Sequence, residues 1–382
     1  MKKADILIIG AGVIGLSIAY HLAAAGKGLK IIVFEKEKFP GMGSTAQCTG
    51  GIRHQFSSRV NIQMTVISLE HFRNFNSQMD YPIYLRQRGY LFTTARGDRL
   101  AEFHAMLSVM KEMGIPASFL TPEHLTRDYP FLHTGDLKGA TYCPLDGYAD
   151  PYGVIQGYLQ QARKRGVEVR CNEAVTGILT SGREALGLTA TGGEWQAAAI
   201  INAAGPDFNR VSSLAGLSIP ALPYRRQVYV CEPMAQLPAA IPLVVDLDTG
   251  FYIHAEKNGT LLLGGTDGAT SPGRDTNVDW NQLDDFIEKA TARIPCLQEA
   301  RLRKAYVGIR SMTPDYRGVL GPSGLKGFFL AGGFGGTGFM HAPAIGQITS
   351  QLLLEETCNI EGIASLSPER FNKTAGAETT VF

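Results

Sequence analysis

The feature that most constrains this chain is its opening stretch, where the apolar run Ile6-Leu7-Ile8-Ile9 leads into Gly10-Ala11-Gly12-Val13-Ile14-Gly15 and then Leu16-Ser17-Ile18-Ala19-Tyr20-His21-Leu22. That order predicts strand, glycine turn and helix. Gly10 permits the tight turn, Gly12 lets the backbone approach a pyrophosphate, and Gly15 lets the helix lie close on the strand. The helix N-terminus offers phosphates its free N–H groups and the positive end of its dipole. A second apolar run, Ile31-Ile32-Val33-Phe34, ends in Glu35, whose carboxylate suits the ribose hydroxyls of an adenosine and would repel a 2′-phosphate. Met1-Lys2-Lys3, an apolar run and Ala23-Ala24-Ala25 imitate an export signal. Glycines at this spacing serve no purpose in a signal, and cleavage near Ala25 would discard the unit that Glu35 completes.

With 382 residues, 45% of them hydrophobic, the chain is long enough for two domains with a substantial core. A formal charge of +1 provides no broad field to draw nucleic acid or an anionic membrane. No apolar run approaches the roughly 20 residues that span a bilayer. The cysteines, Cys48, Cys143, Cys171, Cys231, Cys296 and Cys358, include no Cys-x-x-Cys pair, so neither a zinc site nor an iron–sulfur cluster is expected. Scattered thiols point to a reduced, cytoplasmic compartment. Glycines cluster at Gly41 to Gly51 and at Gly332 to Gly338, as backbone packed against a ligand would require.

Farther along, helical spacing runs from Val60 to Phe75 and from Leu100 to Met113, with strand character between at Arg88 to Thr94 and turn signals from Pro116 to Pro130. Asp150 is an N-cap candidate with Pro151 at the first helical position, opening a helix that Gly166 closes. Short strands are expected at 167–169, 174–179, 186–190 and 195–202, the last running into Ala203-Ala204-Gly205-Pro206. From Pro220 to Arg303 the residues are β-branched and aromatic, with turns at Asn258-Gly259 and Asp267-Gly268, which reads as a large sheet. Phe328 to Ala331 then leads into Gly332-Gly333-Phe334-Gly335-Gly336-Thr337-Gly338-Phe339-Met340 and a helix from about Pro343 to Leu354, a second strand–glycine–helix unit.

The opening fingerprint, the Gly43-Ser44-Thr45 loop and Gly50-Gly51-Ile52-Arg53 resemble the flavin-dependent amine and amino-acid oxidoreductases, the family of D-amino-acid oxidase, glycine oxidase and sarcosine oxidase. Within it the chain is most similar to the beta subunits of heteromeric sarcosine oxidase, L-proline dehydrogenase and opine or hydroxyproline dehydrogenases. The resemblance spans nearly the whole length. It implies a Rossmann-like α/β domain of the glutathione-reductase type over 1–86, 141–219 and 304–382, interleaved with an α+β substrate domain on a large mixed sheet over 87–140 and 220–303. It also implies FAD rather than NAD, and heteromeric relatives leave open an FMN at a subunit interface. Carried over residue by residue, the FAD contacts fall on Gly10, Gly12, Ile14, Gly15, Glu35 and Lys36, on Ser44, Thr45, Thr49, Gly50 and Gly51, and on Val175 through its backbone. They continue at Ala203, Ala204, Gly205, Arg310, Gly333, Gly335, Gly336, Thr337, Gly338 and Phe339, where the second helix N-terminus is expected to face the flavin O2 carbonyl.

In this family the isoalloxazine accepts the hydride, so the protein supplies mainly position and electrostatics. Arg53 matches the arginine that holds the substrate carboxylate in sarcosine oxidases, a task suited to a guanidinium fork. His54 beside it is read as a hydrogen-bonded neighbour. Arg310, ahead of Thr313-Pro314-Asp315, is a second substrate candidate, and Tyr252 and His254 share one strand face toward the pocket. Two departures from the oxidases matter. Tyr306-Val307-Gly308 fills the stretch where single-chain sarcosine oxidases attach flavin to a cysteine, which implies noncovalent FAD. Leu261-Leu262-Leu263-Gly264 and Met340 lack the lysines that those enzymes use for oxygen and for the substrate carboxylate. The expectation is a dehydrogenase of an amino acid or secondary amine that passes electrons to a partner acceptor or subunit. The alternatives are an oxygen-using oxidase and a non-catalytic assembly factor of the same fold.

Overall fold

The computed structural model describes residues 1–238, 240–265, 271–372 and 377–379. Its centre is a six-stranded sheet in the order Val319–Pro322, Phe328–Gly332, Ala199–Asn202, Ile6–Ile9, Ile31–Phe34 and Glu168–Arg170. The last five strands run parallel, with Ile6 opposite Ile31 and Ala199 opposite Ile6, while Val319–Pro322 closes the edge antiparallel. Every residue of the three central strands is buried, which is why they read as unbroken apolar runs rather than alternating ones.

Alternate side chains feed two cores. Ile6, Ile8, Val33 and Ile201 pack under the helices Val13–Ala24, Arg59–Met79, Pro151–Lys164 and Ala342–Leu353. Leu7, Ile9, Phe34 and Ile200 face the opposite side, covered by Leu188 and Trp195 of a four-stranded meander and by Phe208. Asp150 caps the Pro151 helix, accepting from Tyr152 N at 2.9 Å. The helix expected from Val60 begins at Arg59 and runs to Met79, ending at Asp80 in the left-handed region.

A second, eight-stranded mixed sheet runs Leu302–Met312, Leu222–Cys231, Leu261–Gly264, Tyr252–Ala255, Leu243–Asp246, Tyr90–Thr94, Gly139–Cys143 and Ser118–Leu120. Only the Leu243–Asp246 and Tyr90–Thr94 pair is parallel. The Asn258-Gly259 turn joins antiparallel strands, with Gly259 at φ +81°. The Asp267-Gly268 turn lies outside the described residues.

Three details differ from the sequence reading. The stretch 195–202 is two strands, because the chain leaves the meander after Gln196 and enters the parallel sheet at Ala199. Residues 116–130 are not turn alone: they hold a short strand and the helix Pro122–Asp128, opened by Thr121 and His124 as a capping box with Pro122 at the first position. Leu302–Met312 pairs along its length with Leu222–Cys231, so the chain leaves the large sheet only after Met312 rather than near 304.

Candidate active site

A continuous cavity runs between the two large sheets, lined by Glu35 and Asp207 and also by Tyr90, Leu243 and Tyr252. Around Glu35 the backbone geometry fits a dinucleotide. Gly10 sits at φ +104°, and a Cβ there would lie 2.5 Å from Ala203 O. Gly12 lines the cavity with only Thr45 Oγ1 near its missing side chain, at 3.5 Å. The Thr45 hydroxyl also accepts from Val13 N at 3.3 Å, tying the 43–48 loop to the helix start. Glu35 is 9% exposed and doubly held: Oε2 accepts from Ala11 N and Oε1 from Glu37 N, both at 2.9 Å. Its carboxylate therefore fixes the turn as well as facing the cavity. Lys36 pairs with Asp207 at 2.9 Å, and Arg274 and Arg210 reach the same carboxylate. Burial works against the Asp207 charge, yet Lys36 and these arginines hold its carboxyl below the usual range, and Asp207 in turn raises Lys36.

Around Tyr90 and Tyr252 the lining is apolar and aromatic about a charged centre. Arg53 is 5% exposed, its guanidinium 3.8 Å from the Phe56 ring centre and 5.5 Å from that of Phe92, and it donates to Gln55 O. Burial draws Arg53 down to about 10, opposed first by Glu378, so it stays charged at neutral pH. Two glycines make room for tyrosines: a Cβ on Gly51 would lie 1.9 Å from Tyr90 Oη, and one on Gly264 would lie 2.5 Å from Tyr252 Oη. Burial pushes the Tyr90 phenol up, so it is a neutral donor. Arg310 lies against the glycine loop, where a Cβ on Gly336 would come within 3.1 Å of its guanidinium. Ser44 donates to Ile309 O, joining the loop to that strand.

Of the sequence candidates, Gly10, Gly12, Ile14, Glu35, Lys36, Ser44, Thr45, Thr49, Gly51 and Ala203 to Gly205 line this cavity. So do Arg53, Tyr252, Arg310, Gly333 and Gly335 to Phe339. Four do not. Gly15 and Gly50 act one layer back, where a Cβ would strike Gly10 O at 1.9 Å and Ala149 O at 2.1 Å respectively. Val175 opens a strand of the meander, with its side chain in the core. His254 shares the strand face of Tyr252 but lies behind the cavity wall, its ring centre 5.0 Å from that of Tyr148 and neither nitrogen hydrogen-bonded among the described residues. Burial alone draws it down to about 4.

At the second glycine loop residues 333–340 line the cavity, and at the helix start that follows Ala342 N donates to Phe339 O, Ala344 N to Ser68 Oγ at 3.1 Å, and Pro343 has no N–H. Phe56, Tyr90, Arg226, Val228, Leu243 and Glu378 also line the cavity and were not among the candidates. Tyr90 lies within the strand signal at 88–94, and Arg226, Val228 and Leu243 within the sheet signal at 220–303, but no motif marked any of them for the cavity. Behind the wall, His54, Cys143 and Asp146 bring potential ligand atoms within 4.8 Å. Asp146 Oδ1 already accepts from His54 N at 2.7 Å and meets Nδ1 at 2.7 Å, while Oδ2 accepts from Gln55 Nε2 at 3.0 Å, so the trio is a buried lock on the 53–55 turn.

A family model described as FAD dependent oxidoreductase matches residues 5–352. FAD-dependent oxidoreductase domain-containing protein 1 of Xenopus laevis is 28% identical over 97% of this chain and 83% of its own length. Mitochondrial sarcosine dehydrogenase of Mus musculus is 28% identical over 91% of this chain, which spans 39% of that protein. The crystal structure of L-proline dehydrogenase from P. horikoshii superposes with a TM-score of 0.90 at 27% identity, covering 97% of this chain and 98% of that one. With a glycine turn and a doubly anchored Glu35 shaped for a dinucleotide, and with a family model matched over most of its length, the chain belongs to the FAD-dependent oxidoreductase family and is an enzyme that uses FAD.

Proposed function

We propose that this enzyme oxidises the C–N bond of a carboxylated amine, an amino acid or secondary amine of the sarcosine, proline, glycine or opine type, with noncovalent FAD and a partner as electron acceptor. The observation that carries the reading is Arg53: a buried, charged guanidinium set among Phe56, Phe92 and Tyr90 in the cavity that also holds the dinucleotide turn. Such a group draws a carboxylate out of water because the surrounding apolar wall strengthens the charge-assisted contact. When bound, FAD supplies the hydride acceptor.

The chain's own residues bind and orient. Gly10, Gly12 and Glu35 would hold the adenosine and pyrophosphate, with Gly333 and Gly335 to Phe339 along the other wall. Tyr90, Leu243 and Tyr252 exclude water and shape the space around the substrate carbon, and Arg310 is a second contact for its polar end. Noncovalent attachment is supported by Tyr306-Val307-Gly308, which carries no thiol. A partner acceptor is supported by the Leu261–Gly264 strand, which offers no lysine, and by relatives named as dehydrogenases. All six cysteines are unpaired thiols, which fits a reducing compartment such as the cytoplasm.

Anaerobic mixing of the yellow protein with a panel of amines tests the reaction. Bleaching by a carboxylated amine is expected, followed by slow return of colour in air and fast return with dichlorophenolindophenol or a quinone. Bleaching by no member of the panel would overturn the substrate class. Fast peroxide release in air would replace the partner acceptor with oxygen.

A further inference from the structure

The turn that carries Arg53 is pinned from several directions. Thr65 Oγ1 donates to Arg53 O at 2.8 Å, and Gln55 Nε2 donates to Tyr90 O at 3.1 Å while its Oε1 accepts from Thr141 at 2.6 Å. One further anchor comes from far along the chain. Glu378, 3% exposed, accepts from Ser57 N at 2.7 Å, Ser58 Oγ at 2.7 Å, Asn61 Nδ2 at 3.0 Å and the Ser57 hydroxyl. Its own N–H donates to Asp315 O at 3.0 Å, and Asp315 is clasped by Arg370 at 2.7 and 3.2 Å. Thr379 N donates back to Ser57 Oγ at 3.2 Å. The segment 377–379 is thus stitched between the Arg53–Asn61 corner and the Thr313-Pro314-Asp315 segment, and Glu378 lines the same cavity as Arg53.

We propose that Glu378 is a positioning residue for the substrate: inserted beyond the last helix, its carboxylate holds the Ser57–Asn61 corner and the Arg53 guanidinium where they meet an incoming carboxylate. The role rests on Arg53 as the carboxylate-binding group. Two effects of Glu378 oppose each other, since an acid near Arg53 repels an anionic ligand while a tether on its turn orients the guanidinium. The tether wins here because four donors at the start of a 21-residue helix already absorb much of the Glu378 charge. Those donors, with Arg53, hold its carboxyl below the usual glutamate range although burial opposes this. Arg53 also feels Tyr90, Asp146 and Arg310. Of these neighbours, Glu378 is the one contributed by the segment beyond the last helix.

The test uses FAD-loaded protein titrated with sodium acetate and followed by the change in flavin absorption, with FAD affinity and thermal midpoint measured in parallel. Glu378→Ala and Arg53→Met should each weaken acetate roughly ten-fold or more, and the double variant should be no weaker than Arg53→Met alone, because contacting groups are not additive. FAD affinity should stay within about two-fold, since Glu378 lies at the Arg53 end of the cavity. Glu378→Gln keeps the shape but turns an NH2 toward donors whose hydrogen bonds the carboxylate now accepts, so it should weaken acetate less than the alanine variant yet measurably, and it carries the test if that variant does not fold. Acetate binding that is unchanged or tighter in the Glu378 variants, or losses that add, would overturn the proposal while leaving Arg53 in place. Unchanged acetate binding in Arg53→Met would remove the arginine role and this proposal with it.

Discussion

Replacing Glu35 separates its two duties. Both carboxylate oxygens accept backbone amides at 2.9 Å, from Ala11 in the glycine turn and from Glu37 after the strand. A hydrogen bond to a charged acceptor is worth about 1.5–3 kcal/mol, and a buried amide left without a partner costs about 1–3 kcal/mol. Glu35→Ala should therefore destabilise the FAD-free protein by about 2–4 kcal/mol, read as a fall in the urea midpoint without a change in slope. The contact to the ribose adds about 1–3 kcal/mol to FAD binding, a loss of roughly five- to 150-fold in affinity measured by quenching of flavin fluorescence. Glu35→Gln should lie between, because the amide oxygen can serve one N–H while its NH2 faces the other. An apoprotein as stable as wild type would refute the turn-anchoring role. An unchanged FAD dissociation constant would refute the ribose role, and the two can fail separately.

Arg53→Met should leave FAD content nearly intact and cut flavin reduction by a carboxylated amine some hundreds-fold, the equivalent of about 3–5 kcal/mol for a desolvated charged contact. A plain amine should lose far less, and equal losses would sink the assignment. Acid should unfold the protein early. His21, His71, His254 and His341 are drawn by burial to about 4, 3, 4 and 3, so they are neutral in the fold and take up protons on unfolding. Their contribution is complete above the unfolded value of 6.5 and is lost as pH falls from there toward 4, at up to about 1.4 kcal/mol per pH unit for each. Urea midpoints at pH 7, 6 and 5 test this, and His254→Leu should flatten the slope; a midpoint independent of pH over that range would contradict it.

What the sequence made legible was whatever its own neighbourhood determines. The glycine turn, Glu35, the Asp150–Pro151 helix start and the Asn258-Gly259 turn are each set by a few adjacent residues, and each appears where local chemistry puts it. Apart from Tyr252, the aromatic part of the cavity was not legible, because Tyr90, Val228 and Leu243 lie on three different strands that converge with that of Tyr252 only through pairing of distant segments. His254 shows the limit of face periodicity: it shares a face with Tyr252, but that face passes from cavity wall to packed interior within two residues. The break at 197–198 leaves no local signal because both sides are strand, and only the change of sheet separates them. Thr121-Pro122 did carry a helix-start signal that the surrounding prolines obscured.

The interleaved six-stranded sheet has a consequence for how the protein is made. Its strands come from 6–34, 168–170, 199–202 and 319–332, and Phe328–Gly332 pairs directly with Ala199–Asn202. While the ribosome has not yet released that stretch, the nascent chain has its opening glycine turn but neither the neighbouring strand nor the glycine loop that forms the opposite wall. Cofactor capture therefore follows long-range strand pairing and waits until the 319–340 stretch has emerged. A chain stopped before Val319 should emerge unable to retain flavin even though every residue of the opening fingerprint is present.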